Sequence, residues 1–330
     1  MNILQIGFGP LGIQVATFIT QKSTVKTVAV VDVNTDLAGK SLNDISSELS
    51  KDVFVYPSLK EAMEKLKCKP DIAIITTVSS LNKLIPQVEE VAPYGISIIS
   101  TCEELSYPWE LQPQLSQKLD NICKKNKIAC LGTGVNPGFL MDYLPSVLGS
   151  VCKNIEQVIV ERIQDATTRR IPFQQKIGAG LSLEAFKEKE KSGTLRHVGL
   201  QESVYLLANS IGLILDKVTE SLEPVVSDIE VSSKTIIVKA GHSRGVEQIA
   251  HGYVNGICKI KMHFKAAIGE ERSYDKITII GTPSFSSEIE GGINGDIATC
   301  AIAINSINSV LKAPPGLLTM ADIGVPGYIN

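Results

Sequence analysis

The sequence predicts an α/β protein with an N-terminal doubly wound parallel sheet and a second α+β domain built on a mixed sheet. Over roughly the first 130 residues, short β-branched runs alternate with helical patterns, which is the rhythm of a parallel sheet. Later, strand-like runs follow one another without helices between them, which indicates a mixed or antiparallel sheet. At 330 residues the chain is long enough for two such domains.

The first domain has six predicted strands, and each is almost continuously apolar, as expected for strands covered by helices on both faces. These strands are Ile3–Ile6, Val28–Asp32, Val53–Tyr56, Ile72–Thr76, Ile96–Ser100 and Ile128–Leu131. Helices are predicted between them where apolar residues recur at helical spacing. Those helices are Leu59–Leu66, Leu81–Val91 and Leu115–Lys125.

The second domain begins with a predicted strand at Ile155–Ile163. Two helices follow, a charged one at Leu183–Lys191 and a more apolar one at Glu202–Leu215. Further strands are expected around Val225–Val231, Thr235–Lys239, Gly256–Phe264 and Lys276–Gly281. An apolar helix is predicted over Asp296–Leu311, and a Pro- and Gly-rich tail completes the chain.

Bulk properties exclude several classes of protein. The net charge of -3 gives no reason to expect nucleic acid or an anionic membrane as a partner. No apolar stretch approaches the ~20 residues of a membrane helix, and Met1–Ile6 lacks the basic region of a signal peptide. Seven cysteines at irregular spacing favour reduced thiols in a cytoplasmic protein. The four histidines lack metal-ligand spacing, so no metal is expected.

A glycine-rich loop links the first predicted strand to the first helix. The loop reads Gly7-Phe8-Gly9-Pro10-Leu11-Gly12. In a G-x-G-x-x-G loop of this kind, Gly7 allows the tight turn, Gly9 lets backbone N–H groups approach a diphosphate, and Gly12 lets helix pack on strand. Asp32 closes the second strand, where a carboxylate accepts hydrogen bonds from the adenosine ribose. These features predict a Rossmann domain that binds a nicotinamide dinucleotide.

Cofactor preference follows from Asp32, whose charge would repel the 2′-phosphate of NADP. NAD is therefore the expected cofactor, with NADP as the alternative. Thr76, Thr77 and Val78 end the fourth strand and are expected to line the nicotinamide ribose, although threonines also simply end strands. Asn136, in the irregular loop after the sixth strand, could bind the nicotinamide amide or ribose, or belong to a plain interdomain turn.

Candidate catalytic residues follow the fifth strand, at the sheet edge where side chains can reach a nicotinamide. The segment reads Ser100-Thr101-Cys102-Glu103-Glu104. Thr101 and Cys102 are expected beside the cofactor. The spacing also matches two helix capping boxes, but only one glutamate can occupy the third position of one cap. If Glu103 takes that position, Glu104 is left to face the cleft, so Glu104 is the favoured general base and Glu103 the alternative.

An alternative hypothesis is that Cys102 is a nucleophile, because a thiol near a helix N-terminus can be activated. The protein would then be an acylating semialdehyde dehydrogenase. In the second domain, arginines are natural partners for a substrate carboxylate, although surface ion pairs are equally expected of them. The candidate substrate-binding residues there are Arg162, Thr168, Arg169 and His197.

At these motifs the sequence resembles the 2,4-diaminopentanoate dehydrogenases, which are related in fold to dihydrodipicolinate reductase. The resembling segments are Ser100–Leu105, Gly132–Asp142, Asp165–Gly180, Leu195–Leu200 and Pro314–Asp322. The resemblance implies NAD(P)-dependent oxidative deamination of (2R,4S)-2,4-diaminopentanoate at carbon 4, giving 2-amino-4-oxopentanoate and ammonia. Some relatives reductively aminate simple ketones and aldehydes with ammonia, and a glutamate matching the Cys-Glu-Glu stretch is implicated in that reaction. The paired histidines of dihydrodipicolinate reductase are missing here.

The resemblance also implies a homodimer, a substrate cleft between the domains and a C-terminal segment that returns to the Rossmann domain. We therefore expect a dinucleotide-binding domain over residues 1–135 and 296–330, and a substrate-binding and dimerisation domain over 136–295. Asn136 and Phe139 are expected to contact the substrate as well. The predicted function is that of an amine dehydrogenase taking an amine or amino acid. A non-catalytic NAD-sensing protein is the alternative from another class.

Overall fold

The computed structural model describes residues 1–193, 195 and 198–330. The chain divides into two compact units. The first contains Met1–Phe139 and Asn294–Asn330, and the second contains Leu140–Ile293. The expected limits were 1–135 with 296–330 for the first domain and 136–295 for the second.

The first unit is built on a seven-stranded parallel sheet, which confirms the predicted α/β fold. Its strands are β1 (Asn2–Ile6), β2 (Lys26–Val31), β3 (Val55–Tyr56), β4 (Ile72–Ile75), β5 (Ser97–Ser100), β6 (Ala129–Gly132) and β15 (Gly316–Leu318). Their order across the sheet is β15-β6-β5-β4-β1-β2-β3. The order in which strands are added to the sheet therefore reverses between β1 and β4, and such a switch point is where ligands bind in open α/β sheets.

Helices cover both faces of this sheet. They are α1 (Pro10–Thr20), α2 (Leu42–Ile45), α3 (Leu59–Lys65), α4 (Leu81–Val91), α5 (Pro113–Asn126), α10 (Gly295–Asn305) and α11 (Ile307–Lys312). The larger apolar cluster joins the sheet to α3, α4 and α5, and a smaller one packs Phe8 and Ala16 with Leu42 and Leu49. The helix predicted over Asp296–Leu311 is interrupted at Ser306, which separates α10 from α11.

The second unit is built on a six-stranded mixed sheet. Its strands are β7 (Asn154–Asp165), β8 (Lys217–Val226), β11 (Ser243–Val254), β12 (Ile257–Ala267), β13 (Tyr274–Thr282) and β14 (Phe285–Glu290), with β9 (Val231–Ser232) and β10 (Ile237–Val238) as a separate pair. The order is β14-β13-β7-β12-β11-β8, and β7 with β12 is the parallel pair. The helices are α6 (Tyr143–Gly149), α7 (Ile171–Lys176), α8 (Leu183–Lys191) and α9 (Leu200–Ser210). One sheet face packs on α8 and α9 around Phe186 and Phe264.

Several predicted elements of this unit were wrong in their limits. The strand expected at Val225–Val231 lies instead over Lys217–Val226, at the sheet edge where Pro224 is tolerated. Strand β11 was not predicted because Gly245 and Gly252 interrupt its alternation. An added Cβ at Gly245 would lie 2.0 Å from the Ala266 carbonyl oxygen, so this close strand pairing requires glycine. The described part of the chain contains no helix with the length and hydropathy of a membrane span.

Candidate active site

The glycine loop between β1 and α1 brings backbone against backbone. Gly7 has a φ of 95°, and a Cβ added to it would lie 2.7 Å from Thr77 Cγ2. A Cβ on Gly12 would lie 2.1 Å from the Gly7 carbonyl oxygen. No protein atom lies within 4 Å of a Cβ added to Gly9, so the outer side of the loop is open. Gly7 and Gly12 thus have the turn and packing roles that the sequence motif predicts, and the role of Gly9 beside a diphosphate stays a prediction.

The open side of the loop presents hydrogen-bond donors. Within the described residues, the N–H groups of Gly9, Leu11 and Gly12 make no hydrogen bond. Pro10, the first residue of α1, has no N–H to offer. The start of a helix also carries partial positive charge, so these donors fit a diphosphate. Phe8 differs from the expectation for a cofactor contact, because its side chain is buried in the smaller apolar cluster.

Asp32 lies beside this loop. Its Oδ2 accepts the Phe8 N–H at 2.5 Å, and its Oδ1 accepts the Asn34 N–H at 2.8 Å. The carboxylate therefore holds the loop and the end of β2 together. Each carboxylate oxygen has more than one acceptor site, so these bonds leave room for ribose hydroxyls.

Beneath the loop lie polar side chains, one of which sequence analysis missed. Gln5 is buried in β1, donates from Nε2 to the Gly12 carbonyl at 3.0 Å, and accepts at Oε1 from Thr27 Oγ1 at 2.9 Å. The sequence signal for this role was a single glutamine in an otherwise apolar predicted strand. Thr76 Oγ1 donates to the Gly7 carbonyl at 3.1 Å. This hydroxyl supports the loop, and the expectation that Thr76 also lines the nicotinamide ribose stays a prediction.

The next two residues along the same edge also have protein partners. Thr77 Oγ1 donates to Gln87 Oε1 at 2.7 Å, and Val78 packs against the larger apolar cluster. Thr77 remains exposed and could still lie beside a ligand, whereas Val78 is half-buried.

The segment after β5 is held in place by short hydrogen bonds. The Ser100 hydroxyl donates to the Ile75 carbonyl at 3.1 Å and accepts the Cys102 N–H at 3.1 Å. A short 3₁₀ helix then spans Glu103–Leu105, with Cys102 at its N-cap and no side-chain capping bond. Neither predicted capping box forms. The half-buried Thr101 donates its N–H to the Ile75 carbonyl at 3.1 Å.

Glu104 caps a different helix. Its Oε2 accepts the Leu81 N–H at 2.8 Å, at the first residue of α4, and the Gln112 amide at 2.9 Å. Ser80, the N-cap of α4, makes no side-chain capping bond of its own. The expectation that Glu104 is left to face the cleft was therefore wrong in this respect: one of its oxygens is held by a helix N-terminus. Glu103 and Glu104 are both half-buried.

Cys102 does not have the surroundings of a nucleophile. Its side chain is 1% exposed and belongs to the larger apolar cluster. Burial raises the pKa of the thiol far above its ordinary value, and the negative charge of Glu103 acts in the same direction. Because the thiolate is the reactive form, this thiol is inert. The structure contradicts the nucleophile hypothesis, and the Cys102 side chain packs inward rather than toward a cofactor.

Asn136 has a side-chain amide that is buried and finds no partner in the described part of the chain. Among the described residues, neither its Nδ2 nor its Oδ1 makes a hydrogen bond, although both atoms are buried. The loop around it is held by the Val135 N–H, which donates to Thr299 Oγ1 at 3.3 Å. Phe139 follows in the same loop and is half-buried. An amide in this position fits a ligand that offers both a donor and an acceptor.

The guanidinium of Arg162 is bound by other groups of the protein. Its side chain is 3% exposed, Nη1 donates to Asp275 Oδ1 at 2.5 Å, and Nη2 donates to the Ile293 carbonyl at 3.0 Å. Burial lowers the pKa of Arg162, and the adjacent Asp275 opposes that shift. Asp275 Oδ2 also accepts the Ile293 N–H at 2.7 Å. The prediction that Arg162 binds a substrate carboxylate is therefore corrected: it forms a buried ion pair.

The other candidates of the second unit lie in one turn. Thr168 is exposed, and the half-buried Arg169 places its guanidinium over the Phe173 ring at 4.1 Å. Gln174 holds the turn by donating to the Arg169 carbonyl at 2.8 Å. His197 lies outside the described residues. Within the described ranges, the structure shows no group of three or more side chains suited to a metal ion.

Comparison with known proteins places these features in a family. A model described as the 2,4-diaminopentanoate dehydrogenase C-terminal domain matches residues 139–330, and a model described as a CoA binding domain matches residues 1–99. A curated 2,4-diaminopentanoate dehydrogenase of Acetoanaerobium sticklandii is 30% identical over 337 residues, covering 100% of this chain and 95% of that protein.

Solved structures show the same fold. An amine dehydrogenase from Mycobacterium smegmatis matches with a TM-score of 0.87 at 22% identity, covering 99% of this chain and 97% of the other. A probable dehydrogenase from Thermotoga maritima matches with a TM-score of 0.58 at 12% identity, covering 98% and 92%. With the family model spanning more than half of the chain, the protein belongs to the 2,4-diaminopentanoate dehydrogenase family of oxidoreductases.

Proposed function

We propose that this protein is an NAD(P)-dependent amine dehydrogenase. In the forward direction it oxidatively deaminates 2,4-diaminopentanoate, or a closely related amine, to the ketone and ammonia, and in reverse it aminates the ketone. The curated relative named 2,4-diaminopentanoate dehydrogenase supports the substrate class. A structural neighbour, the WlbA dehydrogenase from Bordetella pertussis, was solved in complex with NADH, which supports the cofactor class. The observation that carries the proposal is the buried amide of Asn136, which has no hydrogen-bond partner among the residues that the structure describes.

The residues of the first unit fit the parts of a nicotinamide dinucleotide. The N–H groups of Gly9, Leu11 and Gly12 would hold the diphosphate, and Asp32 the adenosine ribose. Asn136 would pair with the carboxamide, which offers one donor group and one acceptor. When bound, the nicotinamide supplies the acceptor for a hydride from the amine-bearing carbon.

A carboxylate of this chain would handle the protons. The substrate ammonium must lose a proton before the hydride leaves, because only a neutral amine has a lone pair that can form the C=N bond of the iminium. Glu104 is suited to accept that proton, since a helix N-terminus and Gln112 orient its carboxylate. After passing that proton to solvent, the carboxylate would regain the charge that stabilises the iminium, and would then take a proton from the water that attacks the iminium carbon. Glu103 is the alternative for this role.

Substrate recognition is assigned to the second unit and to Phe139. Arg162 is paired with Asp275, so we propose that other residues bind the substrate carboxylate. These are Arg169, Thr168 and His197, of which His197 lies in the undescribed part of the chain. An arginine is suited to this role because its planar fork binds a carboxylate at two points. The stacking of Arg169 on Phe173 would preorient the guanidinium.

The first prediction concerns activity and cofactor choice. The purified protein should reduce NAD when supplied with 2,4-diaminopentanoate, and should oxidise NADH with 2-amino-4-oxopentanoate and ammonia. The carboxylate of Asp32 should repel a 2′-phosphate, so the kcat/KM for NAD should exceed that for NADP by at least about tenfold. Absorbance of the reduced nicotinamide measures both. Tight NAD binding without turnover of any diamino acid, amino alcohol or ketone would instead favour a sensing protein.

The second prediction concerns Asn136. Asn136→Leu keeps the side-chain size and removes the amide, so the KM for NAD should rise about tenfold, the loss expected for one or two hydrogen bonds. Thermal stability without cofactor should stay the same or increase, because a buried amide without partners is costly. Asn126→Leu is the matched control: its amide bonds the Ile122 carbonyl, so its loss should spare the KM. Equal KM values in wild type and Asn136→Leu would remove Asn136 from the cofactor site.

The third prediction separates the two glutamates. Glu104→Gln keeps a carbonyl oxygen for the Leu81 N–H but cannot accept a proton from the substrate, so kcat should fall by about 100-fold or more. The affinity for NADH, measured by fluorescence, should not change. Glu103→Gln is the matched variant. Normal turnover in Glu104→Gln together with a large loss in Glu103→Gln would transfer the base to Glu103 and leave Glu104 with a structural role.

We propose further that the protein forms a homodimer in the cytoplasm. Its seven cysteines are free thiols, which suits a reducing compartment. The second sheet packs one face on helices, while the alternate face carries half-buried residues of mixed charge along its central strands. Ile249, His263 and Glu161 are direct neighbours across this face. His263 on β12 pairs with Glu247 on β11 at 2.7 Å, which lowers the cost of covering these groups with the same face of a second copy.

The fourth prediction concerns this sheet face. Light scattering should give the mass of a dimer, and Ile249→Arg should give the mass of a monomer, because a charge would replace an apolar contact near the centre of the face. Ile214→Arg, at a position 88% exposed in the same unit, should remain dimeric. A monomeric wild type, or an Ile249→Arg dimer of unchanged stability, would count against the proposed interface.

A further inference from the structure

Gln5 is a fully satisfied polar side chain in an otherwise apolar strand. It is 1% exposed, and its neighbours Leu4 and Ile6 belong to the larger apolar cluster. The Gly12 carbonyl can only accept a hydrogen bond, so the amide must turn its Nε2 toward it, at 3.0 Å. The Thr27 hydroxyl then donates to Oε1 at 2.9 Å and holds the amide in that orientation.

The two peptide groups that bound the glycine loop are each held at both ends. The Gly7 carbonyl accepts from Thr76 Oγ1 at 3.1 Å, while the N–H of the same peptide group, on Phe8, donates to Asp32 at 2.5 Å. At the other end, the Gly12 carbonyl accepts from Gln5, while the Ile13 N–H donates to the Gly9 carbonyl at 3.0 Å.

Between these two fixed peptide groups lie the donors that face outward. The N–H groups of Gly9, Leu11 and Gly12 have no partner among the described residues, so their direction depends on the peptides that flank them. A shift of the Gly12 peptide would turn the start of α1 relative to β1. N–H···O bonds prefer angles above about 150° and weaken steeply below about 120°, so donors that no longer point at one anion would all bind it less well.

From this arrangement we propose that Gln5 is a positioning residue for the dinucleotide diphosphate. It contacts no ligand, and acts by holding the Gly12 carbonyl so that the loop N–H groups converge on one anion. Thr27 orients the Gln5 amide, and Thr76 holds the Gly7 carbonyl as Gln5 holds the Gly12 carbonyl. This inference rests on the cofactor class of the proposed function. It does not depend on the chemistry that follows, so it can be tested by binding alone.

The fifth prediction uses ADP-ribose, which carries the diphosphate, and adenosine, which does not. Gln5→Met keeps the side-chain length but loses both amide contacts. The dissociation constant for ADP-ribose should rise roughly tenfold, the effect of one well-placed hydrogen bond. The dissociation constant for adenosine should stay within about twofold of the wild-type value, because Asp32 is retained. Calorimetry measures the first ligand and competition with NADH the second.

Two further variants provide a second test and a control. Thr27→Val leaves the Gln5 amide in place but removes its orienting bond, so it should give a smaller loss of the same kind, and it serves if Gln5→Met fails to fold. Gln248→Met is the matched control, since Gln248 is an equally buried glutamine in the second unit. It should lower thermal stability and leave the affinity for ADP-ribose unchanged.

The possible failures are distinguishable. If wild type binds ADP-ribose and Gln5→Met binds it equally well, the positioning role is overturned while the proposed function stands. If Gln5→Met weakens ADP-ribose and adenosine by the same factor, the loss reflects general loosening of the core and the role is again overturned. If the wild type binds neither ADP-ribose nor NADH, the proposed function fails and the inference fails with it.

Discussion

The first unit depends on the close approach of α1 to the end of β1. A Cβ at Gly12 would lie 2.1 Å from the Gly7 carbonyl oxygen, so no side chain can stand between helix and strand. This contact brings the first-turn N–H groups of α1 to the carboxyl edge of the sheet. The order of strands then places the end of β4 next to them and the end of β5 one strand further on. The loop, the Thr76 hydroxyl and the segment that carries Glu104 are thereby brought to one edge.

Glu104 shows how one side chain can serve both the fold and the proposed chemistry. The first N–H groups of a helix need acceptors, and α4 takes one from a residue outside the helix rather than from Ser80, its own N-cap. The carboxylate is consequently held in a defined direction before any substrate arrives. A general base gains from such preorganisation because little reorganisation remains for the reaction itself. The same bonds explain why local sequence patterns pointed to the wrong cap: Glu104 and Leu81 are 23 positions apart.

Features governed by local periodicity could be predicted from the sequence, and those governed by distant partners could not. Strands β1 to β6 of the first sheet were predicted within a few residues because burial on both faces makes them continuously apolar. Strand β15 was not predicted, because it is three residues long and lies in the Pro- and Gly-rich tail. The partner of Arg162 is 113 positions away, so nothing near it in sequence separates a buried ion pair from a carboxylate-binding arginine. Similarly, Cys102 follows a strand as a reactive thiol can, and only its burial shows that it is inert.

Buried polar side chains separate structural from ligand-binding roles in this protein. A buried group without a hydrogen bond costs about 1–3 kcal/mol, so a fold tends to satisfy such groups internally. Gln5, Gln174 and Arg162 all follow this rule, and each of them fastens backbone segments together. Asn136 departs from it, with both amide atoms buried and unpartnered among the described residues. Because the cost persists in every unliganded molecule, a ligand that bonds both amide atoms would gain binding energy by removing it. This gain is the physical basis of the proposal that Asn136 binds the cofactor.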